Sequence, residues 1–198
     1  MSGPPGRGNF ITKTGGIQTV NLQVRDMARI GGLLAAAFVL KLPAIGLPNI
    51  EPFTLVFFFI GYRYGCFWGA AAGALAEFLY TTMNPYGAAL PPVSAAQIMG
   101  MAFSGFAGGL AGRIDPLRIF SRPSRWGLAV AGIMLTLVYD VLTNLAMFWT
   151  LGNVWAWLVA GIPFSALHIA SNCILFALVF PALQKIVPAR VEDGRTHV

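Results

Sequence analysis

From Ala28 to Leu183 the chain is a succession of long apolar runs separated by short polar or Gly/Pro-rich breaks, and no other feature limits its folding as severely. About 20 apolar residues in helical form cross a bilayer. A backbone surrounded by lipid must satisfy its own hydrogen bonds, which leaves helices or closed barrels. Ala28 to Ile45 supplies a first predicted span, entered through Arg25 and Arg29 and closed by Pro43, Pro48 and Pro52. Phe53 to Tyr80 is too long for one ordinary span, and Gly61-Tyr62-Arg63-Tyr64-Gly65 sets two glycines and a charge where a turn would divide it. The division gives a short second span, Ile50 to Tyr62, and a third, Gly65 to Thr82. The second falls short of the usual thickness, so it reads as a tilted or partly re-entrant piece that needs protein around its backbone ends. Ser94 to Ala111, Trp126 to Leu151 and Trp157 to Leu183 supply the remaining three. An uncharged loop, Met83 to Val93, a basic loop, Arg113 to Arg125, and a turn at Gly152-Asn153 connect them. The expected fold is all-α, a polytopic membrane protein with a six-helix transmembrane bundle.

Charge sets the expected orientation. With the N-terminus cytoplasmic, Arg7, Lys13, Arg25, Arg29, Arg63, Arg113, Arg118, Arg122, Arg125, Lys185, Arg190 and Arg195 all fall inside, and of the thirteen basic residues only Lys41 falls in the outer half. That asymmetry obeys the positive-inside rule for six spans with both termini cytoplasmic; five spans would put the basic C-terminal tail outside. Trp149, Trp155 and Trp157 then mark the outer boundary and Trp68 and Trp126 the inner one. Only 10% of the 198 residues are charged and 57% are hydrophobic, against about 25% charged in soluble domains. The net charge of +6 therefore reflects membrane topology and not nucleic-acid binding. Residues 1–24 read as a disordered polar cytoplasmic tail and not a signal peptide, 25–187 as one six-span domain, and 188–198 as a second cytoplasmic tail. Cys66 and Cys173 lie in apolar runs without metal-ligand spacing, so no metal site is expected.

Ionisable and amide side chains are costly in a bilayer. On the six-span layout Lys41, Glu51, Glu77, Gln97, Asp140, Asn144, His168 and Asn172 all fall toward the outer half. Asp140 and Asn144 are four residues apart, as are His168 and Asn172, so each pair shares a helix face. One reading makes this set the lining of an outward-facing pocket. The other makes it a set of helix-to-helix hydrogen bonds, each about 1 kcal/mol in membranes. Glu77 and Asp140 are also placed to pair with Lys41 or His168; left ionised, they suit a positively charged or amine-bearing ligand. Tyr80 and Tyr86 are candidates for stacking on a flat ring, or for interfacial anchors. Ala28, Gly32 and Ala36, doubled by Gly31 and Ala35, form a small-residue stripe for a closely approaching helix, inside the bundle or outside it. Gly65, Gly69 and Gly73 form a similar stripe, which is better read as internal packing. The chain lacks Gly-x-Ser-x-Gly, His-Glu-x-x-His and a phosphate-cradling Gly-Lys-Ser/Thr, and Ser171 beside His168 has no third orienting group, so no enzyme activity is expected.

Several stretches resemble the S components, the substrate-binding membrane subunits, of energy-coupling factor transporters. They are Pro48-Asn49-Ile50-Glu51-Pro52 followed by Gly61 and Gly65; the small-residue run Gly69, Ala70, Gly73; Tyr139 to Asn144; and Pro163-Phe164 leading to His168 and Asn172. The resemblance runs from about Ala28 to Leu183. Many members carry a Gly-Pro-Trp-Thr-Pro-Trp-Gln-like loop before the fourth span; here Leu90 to Gln97 keeps the Gln and lacks the tryptophans. The resemblance implies high-affinity capture of a vitamin or related micronutrient from outside a prokaryotic cytoplasmic membrane. It also implies docking on a membrane-embedded T component through Ala28, Gly32 and Ala36, then toppling and inward release driven by two cytoplasmic ATPase subunits. ATP would be used by those partners, with no cofactor in this chain. The rival readings are an intramembrane enzyme using Glu77, Asp140 and His168, an assembly subunit without a small ligand, and a self-contained ion-coupled carrier. The last would need more chain, often in repeated halves.

Overall fold

The computed structural model describes residues 23–41, 50–85, 87–114, 125–152 and 154–187. Its described residues form six helices and no strands: α1 Val24–Lys41, α2 Pro52–Tyr64, α3 Cys66–Thr82, α4 Pro91–Ile114, α5 Arg125–Leu151 and α6 Val154–Ile186. Prolines open α2 and α4, where their fixed φ suits the first turn and their missing N–H has no partner to lose. By length and composition α4, α5 and the 159–186 part of α6 suffice to cross a membrane. At 13 and 17 residues, α2 and α3 are shorter. The predicted tails, the first outer loop at 42–49, most of the basic loop and Tyr86 lie outside the described residues.

The break after the second segment is narrower than its five-residue signal suggests. Helix α2 continues through Tyr64, and Gly65 alone makes the joint, with φ +97° and its N–H donating to the Gly61 carbonyl at 2.7 Å. A positive φ is cheap only for glycine, so the joint at Gly65 requires its glycine. Arg63 stays helical and reaches sideways. Its Nη2 donates to the Gln184 and Val187 carbonyls, at 3.3 and 2.9 Å, which are among the last groups of α6. The guanidinium thereby serves helix-end carbonyls that have no partner within their own helix.

Helix α2 is the hub. Every residue from Glu51 to Gly61 is buried, and the helix packs against α1, α3, α4, α5 and α6. Phe53 and Phe57 belong to a core shared with Ile30, Ala37, Ala72, Ala76 and Met101. Phe58 and Phe59 face a second core, where Phe58 lies 5.4 Å from Phe176 and Phe59 lies 5.6 Å from Phe180, centroid to centroid. Such tilted and edge-on pairs add about 0.5–1.5 kcal/mol beyond area burial. A helix apolar all round belongs inside, and that is where this short segment sits.

Glycine lets α2, α3 and α4 touch backbone to backbone. Gly61, Gly69 and Gly105 pack on one another, Gly73 on Met101 and Gly109 on Cys66. Internal packing is therefore the role of Gly69 and Gly73. A Cβ at Gly108 would fall 2.7 Å from the Phe58 carbonyl carbon. Gly108→Ala is thus expected to destabilise by about 3 kcal/mol through backbone displacement, read as an earlier thermal unfolding midpoint in detergent. The stripe on α1 behaves differently. Ala28, Gly31, Gly32, Ala35 and Ala36 are exposed, and a Cβ on Gly31 or Gly32 would meet nothing within 4 Å. Among the described residues this stripe packs on no other element; α1 uses its opposite face, with Ile30 and Ala37, against α2.

Candidate functional site

The two ends of the helices differ in kind. At one end basic residues gather: Tyr64 hydrogen-bonds Arg29 of α1, Arg63 holds the end of α6, and Gly112, beside Arg113, packs on the Tyr62 backbone. From that level α2 rises only about 15 Å to Pro52, whereas α4 rises about 32 Å from Gly112 to Pro91 at 1.5 Å per residue. Near the start of α2, Thr54 Oγ1 contacts Met101 Sδ at 3.9 Å. The first ten residues of α4 therefore stand above the N-terminal end of α2, and the costly polar side chains collect around this step.

Lys41, the last residue of α1, anchors one side. Its Nζ donates to both Glu51 oxygens, at 2.8 and 2.6 Å, and lies 3.8 Å from Glu77 Oε2. The ammonium also sits 3.8 Å from the Tyr80 ring centroid and 4.2 Å from that of Phe53. Desolvated, each ring contact contributes up to about 2 kcal/mol. Lys41 and Glu51 are buried, and Glu77 is 1% exposed. A buried cation holds its charge only with such partners.

Tyr139 joins this group to a second. It faces Gln97, and its ring lies on α4 at Gly100, where a Cβ would come 2.6 Å from Cδ2. It meets the His168 imidazole edge-on at 5.6 Å. His168 Nδ1 is 2.8 Å from Asp140 Oδ1, bridging α6 to α5. One turn further along α6, Asn172 is fully buried where α5 and α6 come closest, since a Cβ at Gly132 would lie 2.8 Å from its backbone oxygen. On the α3–α4 side Thr81 Oγ1 donates to Gln97 Oε1 at 3.5 Å and contacts Ser94 Oγ at 3.4 Å.

The structure thus brings Lys41, Glu51 and Glu77 together, joins Asp140 to His168, and links the groups through Tyr139 and Gln97. Asn144 stands apart, half-buried one turn beyond Asp140 and near Gly161. The Tyr80 ring faces the Lys41 ammonium. Sequence reasoning missed Tyr139 as the link, although its place beside Asp140 was a signal. It also missed Thr81 and Ser94, whose hydroxyls sit four residues after Glu77 and three before Gln97.

Apolar helices with costly polar groups massed at one end and basic groups at the other fit a membrane protein. The family comparison gives the same answer: the sequence model of the ECF transporter substrate-specific component matches residues 25–180, and the chain belongs to that family. The family is one of transporter subunits and not of enzymes, working in a complex with a T component and ATPases. No curated protein and no solved structure matches the chain.

Proposed function

We propose that this chain captures a vitamin or related micronutrient from the outer side of the prokaryotic cytoplasmic membrane for an ATP-driven uptake complex. The six helices cross the membrane with both termini inside, and residues 1–24 and 188–198 are cytoplasmic tails. The ligand occupies an outward-facing pocket over the N-terminal end of α2, where Lys41, Glu51, Glu77, Gln97, Asp140, Asn144, His168 and Asn172 supply the polar contacts. Ala28, Gly32 and Ala36 dock on the T component. Two cytoplasmic ATPases supply the energy, and this chain needs no cofactor of its own.

One observation carries the reading. Among the described residues, Asp140 Oδ2, His168 Nε2 and both side-chain polar atoms of Asn172 are buried without a hydrogen-bond partner. Groups that only bridged helices would be satisfied by their neighbours, because an unmet buried polar atom costs about 1–3 kcal/mol. A site that waits for a ligand leaves such atoms unmet. Asp140→Ala is accordingly expected to weaken ligand binding at least tenfold while the protein still inserts and docks, measured as ligand retained by the purified chain in native mass spectrometry. An assembly subunit without a ligand predicts the reverse, with complex formation impaired and no bound molecule in either form.

A further inference from the structure

The unmet atoms around the step are not balanced between donors and acceptors, and the imbalance describes the ligand. Asp140 Oδ1 lies 2.8 Å from His168 Nδ1. A carboxylate oxygen accepts, so Nδ1 carries a proton. Around the step, Asp140 Oδ2, Glu77 Oε2 and Asn172 Oδ1 are three buried acceptors without a hydrogen-bond partner among the described residues, against the Asn172 Nδ2 donor, and His168 Nε2 is unmet as well. Glu77 Oε2 has Lys41 at 3.8 Å, beyond hydrogen-bond reach, and Lys41 directs its short bonds to Glu51. Formal charge leans the same way: Lys41 faces Glu51 and Glu77, and Asp140 faces His168, so the step holds one lysine against three carboxylates.

We infer that the captured molecule presents a donor-rich edge, an amine, amidine or amino-substituted ring nitrogen group, to Glu77 and the Asp140–His168 pair, and carries no carboxylate or phosphate at that edge. An anionic edge would meet acceptors and negative charge, and leaving a buried acceptor unpaired costs as much as breaking a bond already made. A donor edge satisfies Glu77 Oε2 and Asp140 Oδ2. Asn172, with its Oδ1 and Nδ2 both unmet, accepts from a ligand donor and gives its amide hydrogens to one ring nitrogen or carbonyl. Charge-assisted bonds of this kind are about twice as strong as neutral ones.

This inference rests on the capture reading, and the test separates the two. The full chain in lipid nanodiscs is titrated with two ring probes of similar size, 4-aminopyridine, a cationic donor at neutral pH, and pyridine-4-carboxylate, an anion; thermal shift is followed and the copurified small molecule is identified by mass spectrometry. The expected result is stabilisation by 4-aminopyridine and not by the carboxylate, with a retained native molecule bearing N–H groups at one edge. The isosteric Glu77→Gln is expected to weaken 4-aminopyridine at least tenfold; if that variant does not fold, Asp140→Asn at the less deeply buried carboxylate gives the same readout. Stabilisation by pyridine-4-carboxylate, a retained carboxylate or phosphate ligand, or an amine affinity unmoved by the neutral variants overturns the donor-edge inference and leaves capture standing. No shift with either probe and no retained molecule overturns both.

Discussion

Lys41→Ala is expected to lower the stability of the folded protein by roughly 3–5 kcal/mol, the usual result of removing one member of a buried ion pair. The lysine is the only described cation beside Glu51 and Glu77, and it also fills the space between the Phe53 and Tyr80 rings. Without it two carboxylates share a buried site, and at least one must take up a proton or draw in water. Thermal unfolding in nanodiscs reads the loss. Replacing the triad by neutral residues of similar shape, Lys41→Met with Glu51→Leu and Glu77→Gln, is expected to recover much of it, since the penalty lies in the orphaned charge. A single variant that unfolds at the wild-type temperature would show that the triad is solvated in the working protein.

Gly32→Leu is expected to abolish assembly with the T component, at least a hundredfold in co-purification, while ligand capture stays within twofold of wild type. Within the chain a Cβ at this exposed position meets nothing within 4 Å, and a surface change of that kind costs about 0.5 kcal/mol or less. Against a partner helix at small-residue spacing, the same side chain forces the backbones apart. The pairing with Asp140→Ala makes the test sharp. Ligand loss in both variants would mean that α1 and the α5–α6 pair do not divide the work.

The layout was legible where physics acts on one residue at a time. Charge is excluded from lipid whatever the neighbours, so the gathering of Lys41, Glu51, Glu77, Asp140 and His168 could be read before any contact was known. Their partners could be narrowed too, because few cations lie at that depth. What escaped was everything that depends on which way an apolar side chain faces. Phe53 to Ile60 reads the same to hydropathy whether it faces lipid or other helices; only the structure makes it the buried hub. Gly61 looked like part of a turn because glycine signals both bends and close approach, and the second role won there. The α4 glycines at 105, 108, 109 and 112 stand at three- and four-residue spacing in the sequence, yet their mates on α2 and α3 are set by tertiary packing. Tyr139 was hidden for a similar reason, since its link to Gln97 joins helices far apart in sequence.

Helix α1 has a consequence for how such a chain changes over time. On the proposed reading, the unmet atoms that await a ligand sit on α3, α5 and α6, and the bare small-residue stripe sits on the outward side of α1, so the two share no side chain. Lys41 is the one residue with a stake in both regions, fixing the top of α1 to the carboxylates beneath the binding groups. Substitutions that retune which nutrient is accepted can therefore accumulate behind a mating surface that stays unchanged, provided this lysine is kept.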